Sequence, residues 1–263
     1  MKRITSAANA RFRSLRELTH SSRERKKSGR SVLDGPHLVC AYRDCVGAPE
    51  ELIVSETGVD KAEVKAILAS MKEIAPVLLS DALFNEISPV VTPTGVMAVI
   101  RTPRLQRPSD GMSACIMLDG VQDPGNLGSI LRSAAAAGVR DVLLSETSAH
   151  AWSPRVLRAG MGAHFMLSVY EQVDLREAIR GYKGRVLATV RDGARSVYET
   201  DLTGLTALLF GSEGGGVSPE LKKAAHAEVS IPMPGGGDSL NLAAAVAVCL
   251  FERVRQLAVG GKR

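Results

Sequence analysis

The sequence predicts a two-domain α/β protein, and three observations carry that reading. Short apolar runs alternate with amphipathic stretches along nearly the whole chain. One Pro-rich, aperiodic segment, Thr102 to Gly111, interrupts the alternation. After it, two apolar runs, 207–210 and 229–231, each flow into a glycine-rich loop, and the second loop ends in Ser239-Leu240-Asn241 at the start of a long helix. Strand, glycine loop and helix start together present backbone N–H groups to a ligand, because glycine lets the main chain come close.

The totals bound the answer. At 263 residues the chain has room for one large or two ordinary domains. No stretch reaches the roughly 18–20 uninterrupted apolar residues of a membrane span, and the first residues, MKRITSAANARFRSLREL, lack the apolar centre of a signal peptide. Cys40, Cys45, Cys115 and Cys249 are scattered without metal-ligand spacing. They read as reduced thiols of a cytoplasmic protein. Residues 1–30 hold ten Lys/Arg against Glu17 and Glu24, a balance of +8; since the whole chain is +5, the other 233 residues sum to −3. That asymmetry points to a polyanionic partner for an N-terminal arm, with a solvated tail as the bland alternative.

Taken in order, residues 8–20 read as a helix with Phe12, Leu15 and Leu18 on one side. The SSRERKKSGR that follows reads as a basic connector that stays mobile until it meets its partner. Strands are expected at 31–34, 52–55, 77–79 and 95–100, with helices after Gly35-Pro36, at 60–70 and at 81–87. Beyond the boundary, strands are expected at 114–118, 141–144, near 165–169, at 185–190 and at 206–210. Helices fall at 126–137, after Ser153-Pro154, at 173–181 and at 240–257. This alternation argues for a mostly parallel sheet covered on both faces.

The loops exclude several chemistries. Neither glycine run ends in the Gly-Lys-Ser/Thr of a P-loop. After Gly214 and Gly216 the position that a dinucleotide fingerprint reserves for glycine or alanine holds Pro219. There is no G-x-S-x-G elbow and no His/Cys/Asp cluster for a metal. What remains is a pocket of backbone groups flanked by Asp123, Asn126, Arg132, Glu213, Ser239 and Asn241 at strand-to-helix junctions. In a parallel sheet such junctions converge beyond the carboxyl ends of the strands. Each also has a plain reading: helix caps for Asn126, Ser239 and Asn241, a surface charge for Arg132, a turn residue for Glu213.

Three stretches, DGVQDPGNLGSILRSAAAAGV (119–139), LLFGSEGGGVSPEL (208–221) and VSIPMPGGGDSLNLAAAVAVCLFE (229–252), resemble the three signature motifs of the SpoU/TrmH family. These are S-adenosylmethionine-dependent RNA ribose 2′-O-methyltransferases. RAGMGAHF (158–165) is similar to the family's short element between the first two motifs, and SVLDGPHLV and GVMAVI resemble its smaller RNA-binding α/β domain. The resemblance implies a SPOUT-type parallel sheet with a deep trefoil knot over 113–263, a substrate-binding domain over 31–104 and the basic arm over 1–30. It implies Asn126, Arg132, Glu213, Ser239 and Asn241 as catalytic residues, and Gly211, Ile231 and Leu240 as main-chain contacts to S-adenosylmethionine. It also implies a homodimer, no metal and an RNA substrate, with 23S ribosomal RNA the first expectation and transfer RNA the second. A non-catalytic RNA-binding protein on the same scaffold stays open as the alternative. A small-molecule methyltransferase is disfavoured by the basic N-terminus and the separate first domain.

Overall fold

The structure, a computed structural model, describes residues 2–103, 105, 112–236 and 239–260. The chain divides into two units, Met1–Arg104 with Trp152–Phe165, and Leu105–Ala151 with Met166–Arg263. The boundary expected at 102–111 lies mostly outside the described residues. Thr102 still belongs to the first unit, since its N–H donates to the Gly29 carbonyl at 2.8 Å.

The first unit runs β1 (Lys2–Ile4), α1 (Ala10–His20), α2 (Ser22–Ser28), β2 (Arg30–Asp34), α3 (Pro36–Cys45), β3 (Glu51–Ser55), α4 (Ala62–Ser70), β4 (Val77–Leu79), α5 (Asp81–Ile87) and β5 (Val96–Arg101). Its sheet has the order β1-β4-β3-β5-β2, with β1, β4 and β3 parallel and β5 antiparallel to both neighbours. β1 escaped the sequence reading because it offers one buried side chain, Ile4, in three residues.

Two expectations fail here. The stretch 21–30 is not a mobile connector: the Ser21 hydroxyl accepts from the Glu24 N–H, and Gly29, at φ 66°, closes α2 in the left-handed conformation. Arg25 turns inward and donates to the Leu18 and Thr19 carbonyls at 2.9 and 3.0 Å, which satisfies the open end of α1. Nor are residues 1–30 an appended arm. Phe12, Leu15 and Leu18 of α1 share one core with Ile53, Phe84 and Val99. Arg3, Arg11, Arg16 and Arg30 meet Glu56, Glu51, Glu86 and the Glu50–Glu51 pair. Much of the local +8 is therefore answered by glutamates that lie 20–70 residues away in sequence.

The second unit comprises β6 (Cys115–Leu118), α6 (Pro124–Ala136) and β7 (Asp141–Leu144), then, after α7 (Pro154–Gly160) in the first unit, β8 (Ser168–Tyr170), α8 (Leu175–Gly181), β9 (Arg185–Thr189), β10 (Arg195–Ser196), β11 (Thr206–Phe210), α9 (Pro219–Ala224), β12 (Ala227–Ser230) and α10 (Leu242–Gly260). Its seven strands lie in the order β10-β12-β9-β11-β6-β7-β8, and every pairing is parallel. Such strands are buried on both faces, which is why TALLF and CIML are continuous apolar runs rather than alternating ones. α10 begins two residues later than expected and packs on α6.

Because Phe12 is fully buried in the core of the first unit, Phe12→Ala should cost about 3–5 kcal/mol. Urea unfolding of the full chain measures it. A cost below 1 kcal/mol would return α1 to the status of a tail.

Candidate active site

The site is assembled around β11. Gly211, its first loop residue, comes so close to the returning chain that an added Cβ would lie 1.8 Å from the Gly216 carbonyl carbon. Only glycine fits, and that approach lets Ser212 and Gly216 exchange two backbone hydrogen bonds of 3.0 and 3.1 Å. The loop tip then carries Glu213 towards the turn between β6 and α6. There the Glu213 carboxylate accepts from the Asn126 side-chain amide at 3.0 Å and from the Asp123 N–H at 3.3 Å, with the Gln122 N–H at 3.5 Å. Burial would raise the Glu213 pKa, but these hydrogen bonds outweigh it and hold the carboxyl below its ordinary range.

Asn126 is not the helix cap. Asp123 does that, accepting from the Asn126 N–H at 2.7 Å with Pro124 at the first helical position. Both ends of the Asn126 amide are thereby free for side chains: Nδ2 donates to Glu213, and Oδ1 accepts from Asn241 Nδ2 at 2.9 Å. Asn241 meanwhile caps α10, its Oδ1 accepting from the Ala244 N–H at 3.3 Å. Asn241 therefore caps α10 with one end of its amide and meets Asn126 with the other.

Beside this chain lies a cavity of about 600 Å³ over the carboxyl ends of β9, β11 and β12. Gly211, Glu213, Ile231, Ser239, Leu240 and Asn241 all line it. Val190, Met233 and Cys249 add apolar wall, and burial pushes the Cys249 thiol up to about 12, so it serves as an inert filler. Two of the expected site residues lie outside the lining: Asn126, which is tied to it through Glu213 and Asn241, and Arg132, which is exposed on α6 and makes no ion pair among the described residues. Sequence reasoning missed Arg191 and Lys222, which also line the cavity. Lys222 sits in α9, whose six residues the motif reading absorbed without giving them a helix.

Fold and cavity together define a parallel α/β protein with its ligand site at the strand ends. Family comparison says which. Residues 113–251 match the SpoU rRNA Methylase family, and residues 9–98 match the MRM3-like substrate binding domain. The chain belongs to the SpoU rRNA methylase family and is an S-adenosylmethionine-dependent RNA methyltransferase. It is 32% identical to an uncharacterised tRNA/rRNA methyltransferase of Synechocystis, over 96% of this chain and 93% of that one. It is 28% identical to the 23S rRNA (guanosine(2553)-2′-O)-methyltransferase RlmP of Bacillus subtilis, over 95% and 98%. The crystal structure of an AdoMet-bound rRNA methyltransferase from Sinorhizobium meliloti superposes with a TM-score of 0.82 at 28% identity, covering 97% of this chain and 98% of that one.

The cavity fits that cofactor. Its volume lies within the ~300–1,000 Å³ of small-molecule sites. The apolar wall suits a flat base, and ionised Glu213 suits a cationic ligand.

Glu213→Gln replaces an acceptor oxygen by a donor facing backbone N–H groups. Hydrogen exchange at the Gln122 and Asp123 amides should quicken several-fold, with little change in melting temperature because the group is exposed. Unchanged protection of both amides would mean that Glu213 does not hold this turn.

Proposed function

We propose that this chain methylates the 2′-hydroxyl of a ribose in large-subunit ribosomal RNA. The observation that carries the reading is the Glu213–Asn126–Asn241 chain, which joins the three signature motifs at the mouth of the cavity. The RlmP relative, aligned over nearly the whole of both chains, favours ribosomal RNA over transfer RNA.

When bound, S-adenosylmethionine supplies an electrophilic methyl on a sulfonium. Transfer to the 2′-oxygen would break the carbon–sulfur bond and leave a neutral thioether, with the hydroxyl proton passing to water. The protein's task is to orient the hydroxyl and manage that proton. Glu213 is a poor base for it: its pKa is lowered and its oxygens already accept from Asn126 and two backbone amides. It fixes Asn126 instead, and through Asn126 the Asn241 amide. Ser239, exposed on the lining with no hydrogen-bond partner among the described residues, is left to meet the nucleotide. Arg132 is too basic to be a free base and binds the phosphate next to the reacting ribose.

Arg132 does not line its own chain's cavity, so the reading includes a homodimer in which each cavity receives the partner's Arg132. An exposed apolar stripe on the neighbouring α10 supports this: Phe251 is 48% exposed and shares a helix face with the small Ala244 and Ala247. The reading also includes the trefoil knot. β12 lies three strands from β6, yet the helix after β12 packs on the helix after β6, so the chain must return across the ends of β9 and β11.

Mapping 2′-O-methylation in RNA from cells with and without the gene tests the substrate; an unchanged ribosomal RNA map overturns it. Mixing Arg132→Ala with Asn241→Ala tests the shared site. Each variant alone should be almost inactive, while mixed dimers rebuild one intact site and restore roughly a quarter of wild-type turnover. No recovery after subunit exchange would place Arg132 in its own chain's site.

A further inference from the structure

The cavity carries more charge than the methyl-transfer chain uses. Glu213 is fixed on its β6 side by residues 122–126. Arg191, beyond β9, and Lys222, in α9, also line it. Arg191 is partly committed, since its guanidinium pairs with Asp192 at 2.7 Å. Lys222 is half-buried and forms no ion pair or side-chain hydrogen bond among the described residues. Lys222 and Lys223 both sit in the last turn of α9, where a cation meets the helix dipole, but only Lys222 also lines the cavity.

We propose that Lys222 binds the α-carboxylate of the methionyl part of S-adenosylmethionine, and so selects the intact amino acid over adenosyl compounds that lack it. The proposal rests on the methyltransferase reading above. Its argument is electrostatic. The ligand bears two positive groups, sulfonium and ammonium, and one negative carboxylate. Ionised Glu213 attracts the first two and repels the third. The carboxylate therefore points away from Glu213, and Lys222 is the lining cation left without an anion. An ammonium on a flexible stem, walled partly by protein, gives a charge-assisted hydrogen bond that bulk water weakens less than at an open surface.

The probe that isolates this contact is decarboxylated S-adenosylmethionine, which keeps both positive groups and loses only the carboxylate. Titration calorimetry on the full chain, at equal ionic strength, compares both ligands on wild type, Lys222→Met and Lys222→Arg. Wild type should bind the intact ligand about tenfold more tightly than the decarboxylated one. In Lys222→Met that gap should close through loss of intact-ligand affinity alone, and Lys222→Arg should keep part of it. A gap that survives in Lys222→Met, or equal weakening of both ligands, overturns the proposal. So does unchanged cofactor binding with weakened RNA binding, which would assign Lys222 to an RNA phosphate. If wild type binds neither ligand, the cofactor reading itself falls, and the two failures are thus told apart.

Discussion

The second unit depends on one close approach, Gly211 against Gly216. Any side chain at Gly211 would overlap the backbone at 216–217, within 2 Å of three main-chain atoms. Because that volume is empty, the loop doubles back through the Ser212–Gly216 pair and stands Glu213 at its tip. Glu213 then organises the turn at 122–126, which organises Asn126, which orients Asn241. Two segments lying 87 and 115 residues beyond Asn126 are thus brought into register with it by a residue with no side chain. The cavity wall follows from the same loop, since Gly211 to Val217 form one side of it.

Charge is used differently in the two units. In the first, arginines of β1, α1 and β2 find glutamates on β3, α5 and the turn after β3. Exposed pairs of this kind contribute on the order of 0–1 kcal/mol each, so their effect is less on stability than on field. They cancel much of the positive potential that the first thirty residues would otherwise present. In the second unit, Arg132 and Lys222 have no anionic partner among the described residues, and one lies on the exposed face of α6 while the other lines the cavity. Cations without structural partners are the ones left for a ligand.

What was legible in the sequence, and what was not, divides along sequence distance. The parallel strands announced themselves as apolar runs, and the caps at Asp123-Pro124 and Ser153-Pro154 are local chemistry. Asn126, Glu213, Ser239 and Asn241 each sit beside a glycine loop or a helix start, whereas Arg132 lies well inside α6. Their connections could not be read from the sequence: Asn126 to Glu213 and Asn126 to Asn241 span 87 and 115 residues. The same reason hid the arginine–glutamate pairing and made the N-terminal charge look free. α2 was misread because its composition is that of a disordered segment. What orders it is tertiary: Arg25 buried against the end of α1, and Ser21 and Gly29 at its two ends.

The segment Trp152–Phe165 adds a constraint that motif comparison cannot show. Within the first unit, Trp152 and Phe165 lie with Tyr42 in an aromatic group, the Tyr42 and Phe165 rings packing edge to face at 5.3 Å. A Cβ on Gly162 would meet Ala41 at 2.9 Å, and the Met161 carbonyl lies 3.2 Å from the His37 imidazole Nε2. RAGMGAHF is thus a piece of the first unit inserted between β7 and β8 of the second, and the chain passes between the units three times rather than once. Cutting at the single aperiodic stretch would leave the second unit with an unpaired apolar excursion carrying Trp152, Val156 and Leu157, all buried in the intact chain. The two units are separable by their sheets and cores, but not by one cleavage of the polypeptide.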